Sequence, residues 1–205
     1  MPSATSDVAA AKVRSSRALS IVLWGVGVVL TALVAAWLLA GFNPSLTLTG
    51  VSWQGPEFVA QTVPGAADGQ EDTWTAWDTE SGAWASVVLH NPRPYPVTVS
   101  PTSAESVVEV HVAAYDAPEQ GGLISPEYVT PVPSLEVPSG GFVVVLIHVS
   151  DQCVQMAAGS AIGSDVATVN VATLGLTQSV DVPFPATYMA GTTTGHEADP
   201  SCATG

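Results

Sequence analysis

The chain has 205 residues, room for one domain with accessory segments, and it is 47% hydrophobic but only 11% charged. Four basic residues stand against 18 acidic ones, a formal charge of −14 at pH 7. A surface of that sign repels phosphate backbones, which argues against nucleic-acid binding.

Residues 1–17 are rich in Ala, Ser and Thr with scattered charge, and they read as a short cytoplasmic tail. Residues 18–42 (ALSIVLWGVGVVLTALVAAWLLAGF) carry no charge at all. At 1.5 Å per residue a helix over this run is about 37 Å long, enough to cross a ~30 Å hydrocarbon core with some tilt. Lys12, Arg14 and Arg17 precede the run and no basic residue follows until Arg93, so the expected orientation is N-terminus inside. An uncleaved signal anchor is the reading adopted. Its rival is a cleaved signal peptide, for which Val34, Ala35 and Ala36 before Trp37 offer a small-residue cleavage site. Only Asp7 among the acids precedes the span. The 17 acids after it face Arg93 alone, a formal charge of −16 on the outer side.

Past the span the apolar period changes from helix to strand. Residues 46–53 alternate apolar with small or polar side chains, and residues 84–90, 96–100, 107–115, 142–149, 166–174 and 177–182 are further strand candidates. Weaker runs lie at 57–63, 128–131 and 134–137. Residues 64–83, acidic and Trp-bearing, read as a long excursion, and 184–205 as a Thr/Gly/Ala tail. Prolines and glycines punctuate the runs, notably Asn91-Pro92 and Pro138-Ser139-Gly140-Gly141. No internal repeat is evident. Seven to nine short strands imply an all-β antiparallel sandwich over residues 43–190, with 191–205 as a C-terminal tail.

Cys153 and Cys202 are the two cysteines, and both fall on the expected outer side, where disulfides persist. If they pair, the bond ties the tail back to the domain and stabilises by about 4 kcal/mol in chain-entropy terms. Free thiols or an intermolecular bridge are the alternatives.

Two stretches carry a resemblance. Val87-Val88-Leu89-His90-Asn91-Pro92 followed by Tyr95-Pro96-Val97-Thr98-Val99 resembles the strand–Asn–turn–strand hairpin of bacterial Ig-like envelope domains. Leu135 to Val145, with Pro138-Ser139-Gly140-Gly141 at its turn, resembles their later step from turn to apolar strand. The layout is similar to that of actinobacterial-type single-pass envelope proteins. The resemblance implies an Ig-like sandwich ectodomain behind one transmembrane helix, and it carries no functional residues.

Reactive constellations are scarce. There is no GxSxG elbow, no cysteine beside a histidine and no glycine-rich phosphate loop, so the expectation is a non-enzymatic protein without a cofactor. His90, His111, His148 and His196 lack ligand spacing along any one strand, and no metal site is expected from them. Alternation puts His111 on Glu109's face, in solvent, and His148 with Val144 and Leu146, half-buried. Asp68, Glu71, Asp72, Asp78 and Glu80 are the oxygen donors a divalent cation would need, but without EF-hand spacing. Trp84 begins a strand and reads as core. Trp74 and Trp77, beside Asp78, are open to two readings: the segment folds back and the rings cap one end of the sandwich, or they form an exposed anchor for a protein partner, since Trp is enriched at interface hot spots. The function expected is that of a membrane-anchored accessory subunit or interaction module in the envelope. The alternative is an extracytoplasmic metal- or small-ligand-binding protein.

Overall fold

The computed structural model describes residues 23–39, 41, 46–61, 73–102, 107–115, 124–200 and 202. The chain divides into two compact units, Met1–Asn43 and Pro44–Gly205. In the first, residues 23–39 and 41 are helical, and Leu23, Trp24, Val28, Leu33 and Leu39 expose most of their surface. The expected span of 18–42 extends past this run, and residues 18–22, 40 and 42 lie outside the described residues, as does the tail 1–17. Among the described residues no helix is long and apolar enough to cross a membrane. The run 23–39 alone is roughly 26 Å long, short of a ~30 Å hydrocarbon core.

The second unit holds, among the described residues, eleven strands. In chain order they are β1 (Thr47–Gln54), β2 (Phe58–Gln61), β3 (Thr73–Trp77), β4 (Ala83–His90), β5 (Val97–Pro101) and β6 (Val108–Ala114). Then follow β7 (Pro131–Val132), β8 (Leu135–Val137), β9 (Phe142–Val149), β10 (Ser160–Thr173) and β11 (Leu176–Thr192). They form a five-stranded sheet in the order β1-β4-β9-β6-β7 and a six-stranded sheet in the order β2-β3-β11-β10-β5-β8.

Alternation explains why the sheets stack. Val143, Val145, Ile147 and Val149 of β9 face inward with Val87 and Leu89 of β4 and Val112 of β6. They meet Val97, Val99, Val169, Val171, Val182, Phe184 and Tyr188 from the six-stranded sheet. Fully burying such side chains stabilises by about 1.5–3 kcal/mol each, which makes this sandwich interior the main source of fold stability. The Leu174-Gly175 turn joining β10 to β11 has positive φ at both residues (53° and 83°), as a two-residue hairpin of the twisted kind requires.

Three sequence expectations need correction. First, the sandwich is not antiparallel throughout: β11 pairs with β3 in parallel, Thr187 opposite Thr73 through Gly191 opposite Trp77. The direction of β3 is set by its antiparallel pairing with β2, and that of β11 by its pairing with β10, so their meeting edges run the same way. Second, β10 and β11 extend well beyond 166–174 and 177–182, and β11 takes in the first part of the expected tail. The register slips where Ser164 pairs with Tyr188 and Val166 with Pro183. The slip breaks the alternation and accommodates Pro183 and Pro185, which cannot donate to a ladder. Third, β3 lies inside the stretch expected to be an excursion.

Asn91 justifies its place in the hairpin. It is fully buried, and its side-chain amide donates to the carbonyls of Tyr95, Val137 and Pro138 at 3.0–3.1 Å while its Oδ1 accepts from the Arg93 amide. One side chain thus fastens the turn after β4 to the turn before β9.

Candidate functional site

The outer face of the five-stranded sheet is not simply solvated. Val88, Val144, Leu146 and Ala113 point outward from β4, β9 and β6, and they are covered by Ile124 and Val129 to make a second apolar cluster. Ser86 donates to the Ile124 carbonyl at 2.9 Å, which fixes the covering segment to the sheet.

Beside this cluster lies a cleft of about 500 Å³ lined by Trp53, Pro56, Glu57, Trp84, Ser125, Pro126, Glu127 and Tyr128. Two turns of the same design flank it. Gly55-Pro56-Glu57-Phe58 closes with the Phe58 amide donating to the Gly55 carbonyl at 3.3 Å. Ser125-Pro126-Glu127-Tyr128 closes with the Tyr128 amide donating to the Ser125 carbonyl at 2.9 Å. In each, proline occupies the second position, where its fixed φ suits a turn, and glutamate the third. The first turn is seated by the Gly55 amide, which donates to the Trp84 carbonyl at 2.8 Å. Between the turns, β1 and β4 supply the indoles: Trp53 lies opposite Ser86, on the same outer face as Trp84. Glu57, Glu127 and Tyr128 are exposed, Tyr128 by 64%, while Trp53 and Trp84 are half-buried. The arrangement is two aromatic planes and a phenol edged by two carboxylates.

Trp84 is held from its other neighbours. The His148 ring stacks on it at 4.5 Å between centroids, and the His111 ring lies 5.2 Å away. His148 Nε2 donates to the Ser81 carbonyl at 2.7 Å, and the Glu109 carboxylate lies 3.6 Å from both His148 Nδ1 and His111 Nε2. Gly82 permits this packing: its φ is +68°, and a Cβ there would lie 2.7 Å from the Val149 carbonyl and against the His148 ring. Expected in solvent, His111 is half-buried beneath the aromatic row.

A second cleft, of about 530 Å³, is lined in part by Asp78, Glu80, Asp151, His196, Glu197 and Asp199. Here the polar groups are engaged with one another. Asp78 accepts from the Thr193 hydroxyl (2.6 Å), the Thr193 amide (2.8 Å) and the Thr192 hydroxyl (3.3 Å). The Thr193 hydroxyl above all holds the Asp78 carboxyl below its ordinary value of 3.8. The His196 ring donates to the Asp151 carbonyl at 2.9 Å, Gln155 donates to Glu197 at 3.0 Å, and the Gln152 amide side chain donates to the Glu80 carbonyl. Met156 and His196 exchange backbone bonds, and the disulfide Cys153–Cys202 closes the same region. The bond is intramolecular, the first of the pairings the sequence left open.

The Trp74 and Trp77 anchor was expected on an exposed loop, and the structure puts both residues in β3. Trp74 faces the sandwich interior, half-buried against the core, opposite Tyr188. Trp77, also half-buried, lies over Gly191, where a Cβ would come within 2.8 Å of the indole. Pairing on both sides by β2 and β11 explains the difference, and Asp78 follows them at the strand end with φ of +51°. Of the possible cation donors, Asp68, Glu71 and Asp72 lie outside the described residues. Among the described residues no group of three or more His, Cys, Asp or Glu is arranged to hold a metal ion.

Trp84, expected in the core, is half-buried against the second apolar cluster on the outer face, because Ala83 and Ala85 take the inward positions of β4. Tyr128, Glu57 and Glu127 were not singled out by sequence. The signal available was the pair of Gly/Ser-Pro-Glu-aromatic tetrapeptides, 70 positions apart and too short to register as a repeat.

No protein-family model matches the chain, and no curated protein matches it with significance.

Proposed function

We propose that the chain is a membrane-anchored, non-enzymatic interaction module that presents its sandwich outside the membrane and binds a protein partner in the cleft between the two Pro-Glu turns. The observation that carries this reading is the cleft itself. Exposed aromatic surface with carboxylates at its edges, on a rigid sheet, has the make-up of an interface hot spot. The anchor is supported by the uncharged run of residues 18–42, of which the exposed apolar helix 23–39 is the described part, and by Lys12, Arg14 and Arg17 on its N-terminal side. In this reading the N-terminus is cytoplasmic, and the kinship with Ig-like single-pass envelope proteins of the actinobacterial type rests on the Asn91 hairpin and the turn at Pro138–Gly141.

The partner surface thus moves from Trp74 and Trp77 to Trp53, Trp84 and Tyr128. Purification of the full chain in mild detergent tests it. A stoichiometric partner is expected to co-purify, and Trp53→Ala combined with Tyr128→Ala is expected to release it while the melting temperature of the chain stays within a few degrees. A partner retained by the double variant, or a chain that purifies as a partner-free monomer, would overturn the reading.

A further inference from the structure

The twin turns do more than frame the cleft: they fix what charge it can accept. Each places a glutamate at its third position, and both line the cleft with the indoles, Glu57 from the turn after β1 and Glu127 from the segment covering the sheet. Among the described residues no lysine or arginine lines the cleft. We propose that the cleft reads a basic side chain, arginine in preference to lysine, presented by an extended segment of the partner; this rests on the cleft being the partner site.

The chemistry on the page selects this occupant. Ionised carboxylates only accept hydrogen bonds, so a ligand between them must bring donors, and guanidinium and ammonium groups bring nothing else. The rings of Trp53 and Tyr128, and the side of the Trp84 indole away from His148, are electron-rich and attract a cation placed over them, with Trp the strongest of the ring types. Guanidinium is planar, stacks on an indole and pairs bidentately with a carboxylate, whereas ammonium is a compact, strongly hydrated point charge. A neutral sugar is the natural competitor for aromatic surface, and its hydroxyls can donate to the carboxylates. It brings no positive charge to them, however, and meets few donors for its own oxygens: the Ser125 and Tyr128 hydroxyls and the indole N–H groups, with Ser125 itself buried. Anionic ligands meet the two glutamates and the formal charge of −16 carried by the residues after the span.

Titration calorimetry on the detergent-solubilised full chain decides the matter, with blocked Gly-Ser-Arg-Ser-Gly as probe. Companion probes replace arginine by lysine or by citrulline, its neutral isostere, and cellohexaose serves as the sugar probe. The arginine peptide is expected to bind at one site per chain, the lysine peptide more weakly, and the citrulline peptide at least about tenfold more weakly, a difference of roughly 1.4 kcal/mol. Glu57→Gln with Glu127→Gln is expected to remove a similar factor from arginine binding without moving the melting temperature. Equal binding of arginine and citrulline peptides, unchanged affinity in the double-Gln variant, or cellohexaose binding more tightly than the arginine peptide would overturn the proposal. The two readings fail separately. If the co-purifying partner still depends on Trp53 and Tyr128 while the arginine peptide does not bind, the cleft remains the partner site and its charge preference falls. If both fail, the cleft is not the site.

Discussion

The two clefts of the sandwich are of nearly equal size, yet their polar groups are disposed in opposite ways. In the acidic cleft two carboxylates and the histidine are engaged internally: Asp78 with Thr192 and Thr193, Glu197 with Gln155, His196 with the Asp151 carbonyl. These bonds, with Cys153–Cys202, fasten the end of the chain to the sandwich. In the aromatic cleft the turns are closed by backbone bonds, and the Glu57, Glu127 and Tyr128 side chains stand exposed. A concentration of acid is therefore a poor guide to a binding surface in this protein. What distinguishes the two is whether the hydrogen-bonding capacity has already been used.

Removing the fastening should give the largest effect. Cys153→Ser with Cys202→Ser is expected to lower the unfolding free energy by about 4 kcal/mol in denaturant titration, for a closed loop spanning a separation of 49 residues. Partner binding in the aromatic cleft should be unchanged under conditions where the variant is folded. A loss of binding there would break the distinction, since it would mean that the two ends depend on each other.

Loosening the cover comes next. Ile124→Ala removes the fully buried side chain that holds the covering segment on Val88, Val144 and Leu146, at an expected cost of roughly 3 kcal/mol. Because that segment carries Glu127 and Tyr128, partner affinity should fall in the same variant, unlike the cysteine pair. By contrast Tyr128→Ala, at a 64% exposed position, should change stability by no more than about 0.5 kcal/mol while still weakening the partner. A large stability loss would place that ring in the packing and not in the interface.

The smallest expected effect sharpens the account of Asp78. The Thr193 and Thr192 bonds favour the ionised carboxylate and depress its pKa, so their contribution is fully present above the ordinary value of 3.8 and is lost as pH falls through the folded-state value. Thr193→Val should therefore raise the Asp78 titration toward its ordinary value, read by carboxyl NMR. An unmoved titration would show that these bonds do not hold the carboxylate.

Part of the fold was legible because a run such as 107–115 alternates, with Val108, Val110 and Val112 on one face and Glu109 and His111 on the other. Residues 142–149, by contrast, are apolar on both faces, and their inner and outer sides show only in the structure. Asn91 was legible as a turn residue, though its three carbonyl partners were not, since two of them come from the distant turn before β9. The sequence was misleading where alternation fails or is crowded by charge. The slip at Ser164 to Val166 hid the length of β10 and β11, and the acids around Thr73–Trp77 hid β3. The cleft was hidden for another reason: Trp53, Trp84 and Tyr128 come from three separate segments and meet only through the register of β1 on β4 and the bond from Ser86 to Ile124. Likewise His148 of β9 meets Glu109 of β6 across strands, where spacing along one strand carries no signal.

Site-specific photo-cross-linking of the full chain in cells gives the sharpest comparison between the clefts. A photoreactive phenylalanine analogue is placed at position 128 in one variant and at exposed position 80 in another. The partner is expected to cross-link from 128, to be lost on addition of Trp53→Ala, and to be absent from 80. Equal cross-linking from both positions, or from 80 alone, would contradict the assignment of the aromatic cleft as the binding site.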